Sequence, residues 1–167
     1  MLARLVYPLC LLFGALLAVV AGVLHPDLMG DGAAQLTTIA QCAAWRAIHW
    51  IFLFGFPLAL TGLVGLARMH VSTPGENAVR AGAIVGTFAY GAWTVTVAFM
   101  GGAGWSLAHT FTIADAGMTA TRAVFLFDMI HPFALTTQRV AGFALGLSTG
   151  LLAWGLLDGK EIGRAHV

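Results

Sequence analysis

The chain has 167 residues, of which 59% are hydrophobic and only 9% are charged. A soluble domain carries about 25% charged residues, so this chain cannot cover a water-facing surface, and we expect the lipid bilayer to be its main solvent and partner. The formal net charge of +1 offers no attraction to a polyanion, which excludes nucleic acid as a partner. The length is that of a single domain, residues 1–167.

Four charge-free apolar stretches approach or exceed the roughly 20 residues that a membrane-spanning helix needs. They cover residues 5–24, 47–67, 81–103 and 140–157. The first is longer than the apolar core of a signal peptide, which is about 7–15 residues, so we expect a retained span. The sequence therefore predicts an all-α integral membrane protein with four transmembrane helices in two hairpins.

Two long connections, residues 25–46 and 104–139, lie on the same side of the four predicted spans, and parts of both are helical in pattern. Residues 123–138 make a poor fifth span, because Asp128 and Pro132 interrupt the apolar run. We therefore expect partly helical connections that lie at the membrane surface or extend the spans.

Positive charge is unevenly divided between the two sides. The side with both termini carries Arg4, Arg68, Arg80, Lys160 and Arg164, whereas the other carries Arg46, Arg122 and Arg139. Lysine and arginine are enriched in cytoplasmic loops. The bias predicts a multi-pass protein of a bacterial-type inner (cytoplasmic) membrane, with both termini in the cytoplasm and the long connections on the exoplasmic side.

Four histidines fall on the predicted exoplasmic side: His25, His49, His109 and His131. Neutral imidazole is the commonest protein ligand of zinc, copper and iron, so these four are candidate metal ligands. His25 and His49 are 24 residues apart, and His109 and His131 are 22 apart. The similar spacing indicates a parallel pseudo-repeat of the two hairpins.

A cofactor site is the second interpretation of the same side. His49 and His131 each stand at the start of a span, and Asp128 shares a helix face with His131 because the two are three residues apart. These three are the candidate cofactor-binding residues, for haem b, for a Cu, Zn or Fe ion, or for a quinone-like ligand. Small b-type cytochromes are similar in size and span number, but they carry histidines deep within facing spans, so no family is assigned.

Arg46 and Asp128 are also predicted to form an ion pair. Each lies three residues before a histidine, in equivalent positions of the two halves, and their charges are opposite. A carboxylate buried in apolar surroundings has to be paired or protonated. We therefore expect a structural Arg46–Asp128 pair between the hairpins.

The sequence contains no motif of a serine hydrolase, a zinc protease or a nucleotide-binding loop, and it leaves open whether the chain is an enzyme. The leading hypothesis is a small membrane protein whose exoplasmic pocket binds a metal, haem or quinone-like ligand, in membrane electron transfer or metal handling. The alternative is a non-catalytic accessory subunit of a larger membrane complex, or a homo-oligomer, in which the polar layer pairs helices.

Overall fold

The computed structural model describes residues 3–113 and 117–165, with side chains described for residues 5–113 and 117–158. Every regular element in these residues is a helix. The helices are α1 (Ala3–Leu24), α2 (Gly32–Gln41), α3 (Trp45–Met69), α4 (Glu76–Phe99), α5 (Trp105–Ile113) and α6 (Met118–Ala165). A π-helical turn, Met100–Gly104, joins α4 to α5 without a break.

Four helical stretches are long and apolar enough to cross a membrane: α1, α3, the continuous stretch Glu76–Ile113 and the stretch Met118–Asp158 of α6. Each contains one of the four stretches chosen from hydropathy. The prediction of an all-helical chain with four long apolar helices is therefore confirmed.

The long helices form a row in which each packs against the next. α1 packs along α3, α3 against α4, and α4 along α6. Glycines bring the backbones together, since a Cβ at Gly14 would collide with the backbone of Ala59, and one at Gly75 with the backbone of Gly155. Small residues serve the same purpose where helices pack in lipid, because dispersion contacts then replace the hydrophobic effect.

The two ends of the bundle differ. At the turn end, Gly65 lies against Tyr7 and Gly75 against Gly155, so α1 begins near the α3–α4 turn and α6 passes beside it. At the capped end, α2, α5 and the first part of α6 pack together over the start of α3. We call these three segments the cap. The buried core between the cap, the start of α3 and the π-helical turn consists of Leu36, Ile39, Trp45, Met100, Ala108 and Phe127.

The last predicted span, residues 140–157, is too short, because α6 is one helix of 48 residues that includes residues 123–138. Pro132 lies inside it and removes only one backbone donor. The buried side chains of Ala123 and Phe127 hold this part of α6 in the cap. Tertiary packing therefore outweighs the local signals of a break that the sequence contains.

Candidate functional site

A cavity of about 740 Å³ lies among α1, α3, α4 and α6, in the capped half of the bundle. Its volume is within the range of about 300–1,000 Å³ that is usual for small-molecule sites. Polar side chains from five segments line it: His25, Asp27, Gln35, His49, Tyr90, Thr96, His131 and Gln138. Three of the four histidines predicted as metal ligands therefore reach one cavity, and His109 does not.

The first and last long helices both line the cavity. α1 contributes small or short apolar side chains such as Ala18 and Val19, and α6 contributes Ala134 and Leu135. Along their described residues, α1 and α6 make no extensive contact with each other, since each packs on a different inner helix. The row of four helices is therefore left unclosed where the cavity lies.

His49 is held in place by contacts from α3 and from the π-helical turn that follows α4. Its Nδ1 donates to the carbonyl oxygen of Trp45 at 2.7 Å, and the indole Nε1 of Trp45 donates to the carbonyl oxygen of Met100 at 2.9 Å. Gly101, in the π-helical turn, lies so close that a Cβ there would be 2.7 Å from the Cβ of His49. The π-helical turn therefore sets the position of this histidine, as such turns often do at functional sites.

His25 packs against the same group of rings from the end of α1. Its ring centroid lies 4.9 Å from that of Trp45 and 5.3 Å from that of His49. Its Nδ1 donates to the carbonyl oxygen of Pro26 at 2.8 Å. Burial lowers the pKa of His25 below its ordinary value of 6.5, although the hydrogen bond to Pro26 and the charge of Asp27 oppose the shift. His25 is therefore neutral at neutral pH.

The two hydrogen bonds fix the tautomers of His25 and His49. A carbonyl oxygen can only accept, so the proton is on Nδ1 in both rings, and the neutral ring has its lone pair on Nε2. Neither Nε2 has a hydrogen-bond partner among the described residues. The side-chain amide nitrogen of Gln35 donates to the carbonyl oxygen of Gly30, and its side-chain oxygen is buried away from the cavity with no partner among the described residues.

His131 reaches the cavity from α6. It is buried, and its ring stacks on that of Phe127 with the centroids 4.6 Å apart and the planes at 23°. Phe133, which the sequence places beside it, is exposed instead. His131 and His49 thus line one cavity from two different helices, α6 and α3.

The described residues contain no group of three or more His, Cys, Asp or Glu side chains that could hold a metal ion. The predicted set of His25, His49, His109 and His131 is therefore not brought together as one such group, and metal binding by these residues stays a prediction. His109 explains part of the difference, since it is exposed on α5 and stacks on Trp105 with the ring centroids 5.4 Å apart.

Asp128 lies outside the cavity, on an exposed face of α6. Its carboxylate lies directly against Gly32, the first residue of α2, where a Cβ would overlap the carboxylate oxygens. A negative charge near a helix N-terminus is favourable, because the helix dipole is positive there. The aspartate therefore lies at the contact between α6 and the start of α2, and it does not line the cavity.

The predicted Arg46–Asp128 ion pair is not formed; among the described side chains, the salt bridge present is that of Arg80 with Glu76. The guanidinium of Arg46 lies over the ring of Trp105 instead, 4.9 Å from its centroid. Asp128 is exposed in the folded chain, so the burial within the protein that motivates the predicted pair is not found.

Sequence reasoning missed several residues of the cavity wall, among them Gln35, Phe56, Tyr90 and Trp93. Tyr90 and Trp93 did carry a signal, because they share a helix face in the middle of a span, away from the interfaces where Trp and Tyr usually gather. The rings of Phe56 and Trp93 stack with their planes at 11°. No pattern in the sequence indicated Gln35, because its position at the cavity depends on how α2 packs over the bundle.

Comparisons with protein-family models, with curated proteins and with solved structures find no match for this chain. The geometry of the cavity is therefore the basis for its functional interpretation.

Proposed function

We propose that this chain is a four-span membrane protein that binds a lipid-soluble aromatic ligand carrying hydroxyl groups, of the quinol type, in the cavity beside His25 and His49. The reduced, hydroxyl-bearing form is the preferred ligand. Among the quinone-like ligands that the sequence predicts, the reduced form is therefore expected to bind more tightly than the oxidised form.

The observation that carries this proposal is the set of free acceptors. The Nε2 atoms of His25 and His49 accept but cannot donate while the rings are neutral. A quinone carbonyl is also an acceptor, so it finds no partner at these atoms and would need a donor elsewhere on the wall, such as the hydroxyl of Tyr90 or the amide of Gln138. The two O–H groups of a quinol are donors, so each can donate a hydrogen bond to one of these Nε2 atoms.

The shape of the cavity supports a flat ring with an apolar tail. Phe52, Phe56 and Trp93 supply aromatic walls, and Leu145 lines the deepest part along α6. The polar groups His25 and Gln35 lie at the capped end, outside α1 and α3. In a bilayer, a ligand would hold its polar ring near the interface and its tail toward the hydrocarbon, and it could enter between α1 and α6.

The helix lengths fit this placement. At 1.5 Å per residue, α1 and α3 are about 33 and 37 Å long, close to the hydrocarbon thickness of about 30 Å. α6 is about 72 Å long, so its first part extends beyond the bilayer with α2 and α5. We propose that the cap is the exoplasmic layer of the protein and that both termini are cytoplasmic, as the charge bias predicts.

Binding measurements on purified protein in lipid nanodiscs test the proposal. A short-chain quinol should bind, and its dimethyl ether should bind more weakly, because the ether retains the ring but has no O–H group. Two hydrogen bonds, each with a net value of about 0.5–1.5 kcal/mol, correspond to a preference of roughly 5- to 150-fold. Equal binding of the two compounds would contradict the proposal.

An optical spectrum and a metal analysis of the same preparation test the other ligands that the sequence allows. A Soret band would favour haem held by His49 and His131, and stoichiometric metal would favour a metal centre; either would replace the quinol proposal. A colourless protein that binds neither compound and purifies only with another membrane protein would instead support the accessory-subunit alternative.

A further inference from the structure

A second site lies at the turn end of the bundle, far along α3 and α4 from the histidines. A groove of about 250 Å³ runs there between the last turns of α3 and the first turns of α4. Arg68 lines it from α3 and Arg80 from α4, and the remaining walls include Val64 and Ile84. Nothing in the proposed quinol function involves these residues.

The charge in this groove is positive. Arg68 is exposed and forms no salt bridge among the described side chains, whereas Arg80 is paired with Glu76 one turn earlier on α4. Glu76 is engaged twice, since it also accepts a hydrogen bond from the backbone N–H of Ser72 at 2.6 Å. Two guanidinium groups and one carboxylate leave an excess of one positive charge at the mouth of the groove.

The apolar part of the groove leads away from the arginines. Val64 lies one turn before Arg68 on α3, and Ile84 lies one turn after Arg80 on α4, so both are displaced about 6 Å toward the middle of the bundle. Val64 and Ile84 are 46% and 66% exposed, which leaves them free to contact an acyl chain. Thr87 adds no free donor, because its hydroxyl donates to the carbonyl oxygen of Ala83.

We propose that this groove binds an anionic phospholipid, with the phosphate between Arg68 and Arg80 and the start of an acyl chain along Val64 and Ile84. Basic pockets between transmembrane helices are known to hold anionic headgroups, and guanidinium groups match phosphate geometry. The volume is below that of a pocket for a whole drug-sized ligand, which fits a lipid whose chains remain largely in the bilayer. The inference rests on the membrane placement but not on the quinol site.

Native mass spectrometry of the full chain tests this site by counting retained phosphatidylglycerol against phosphatidylcholine of the same chain length. We expect one phosphatidylglycerol to be retained preferentially. Loss of one cationic side chain near the membrane surface lowers anionic lipid binding about fivefold, so the preference should fall by that factor in Arg68→Gln and further in Arg68→Gln/Arg80→Gln. Glu76→Gln should strengthen retention, because it removes the competing negative charge and retains an acceptor for Ser72.

Arg139→Gln is the matched control, since Arg139 is an exposed arginine of α6 away from this groove. It should retain phosphatidylglycerol as the parent protein does. Inorganic phosphate and glycerol phosphate, added in excess, should not displace the lipid if the acyl chain contributes to binding. Equal retention of both lipids, or an unchanged preference in the double variant, would overturn the proposal. Displacement by phosphate alone would show a simple anion site and would overturn the lipid assignment.

Discussion

The protonation of His25 decides whether its Nε2 can accept a hydrogen bond from a ligand. Its ring reaches the cavity at the end of α1, beside Trp45 and His49, and its Nδ1 is already used by Pro26. The sequence predicted that His25, His49 and His131 lie on one side, because the number of spans places them there. It could not predict which nitrogen of each ring is free, because that depends on backbone carbonyls brought close by folding.

Acid should weaken the folded protein through His25. Burial lowers the pKa of His25 in the folded chain below the unfolded value of 6.5, so the unfolded chain binds the proton more readily. The contribution of His25 to stability is complete above about pH 7.5 and is lost as the pH falls through 6.5 toward the lowered value. The melting temperature in detergent should therefore fall between about pH 7.5 and pH 5.

The variant His25→Phe isolates this effect, because phenylalanine keeps a ring against Trp45 and does not titrate. Its melting temperature should fall less than that of the parent protein over the same pH interval. An identical fall in both proteins would show that His25 is not buried as the structure describes.

Asp128 shows where residue-level reasoning from the sequence fails. Its place within an apolar run indicates a buried charge that needs Arg46, but in the structure it lies exposed against the first residue of α2. The contact depends on the packing of α2 against α6, and no local sequence pattern predicts that packing. Position 32 has to be a glycine to leave room for this carboxylate, because a Cβ there would overlap its oxygens.

At the scale of the helices, hydropathy located the spans well and their ends poorly. α1 and α3 end within about three residues of the predicted limits. The third and fourth helical stretches continue far beyond theirs, because residues beyond the apolar stretches pack in the cap. Pattern reasoning detects apolar length, whereas packing on α2 and α5 decides whether a helix continues through Pro132.

The π-helical turn between α4 and α5 gives a matched pair of test substitutions. A Cβ at Gly101 would lie 2.7 Å from the Cβ of His49, while a Cβ at Gly102 would meet nothing within 4 Å. Gly101→Ala should therefore push α3 away from the turn, and it should lower the affinity for a quinol by about tenfold or more, since overpacking costs about 1–3 kcal/mol. Gly102→Ala should bind as the parent does. Titration calorimetry in nanodiscs measures both, and equal affinities would show that the turn does not position His49.

A second glycine pair tests the packing of α1 on α3. A Cβ at Gly14 would collide with the backbone of Ala59, which cannot move as a side chain can, whereas Gly22 has open space around it. Gly14→Ala should destabilise the protein by about 1–3 kcal/mol or more. Gly22→Ala should be neutral or slightly stabilising, since alanine favours a helix over glycine by up to about 1 kcal/mol. Unfolding in mixed detergent provides the comparison, and a Gly14→Ala variant as stable as Gly22→Ala would contradict this packing.

At the scale of the whole molecule, the unclosed row of helices explains how a small chain makes a large cavity. Of the long helices, α1 packs extensively only on α3 along its described length, and α6 packs on α4, so the row is not closed by extensive contact between α1 and α6. The sequence predicted two hairpins and a pseudo-repeat. In the first predicted repeat, the rings of His25 and His49 are in contact. The rings of His109 and His131, the corresponding pair, are not, so the repeat stays a prediction. Which helices leave a gap depends on three-dimensional packing and is invisible in hydropathy.

The ratio of the dissociation constants of a quinone and its quinol tests the central claim most directly. Under anaerobic conditions in nanodiscs, the parent protein should bind the quinol roughly 5- to 150-fold more tightly, through hydrogen bonds donated to His25 and His49. The ratio should approach one in His25→Leu/His49→Leu and remain unchanged in His109→Leu, whose side chain is exposed outside the cavity. A parent protein that binds the quinone as tightly as the quinol, or more tightly, would contradict the account.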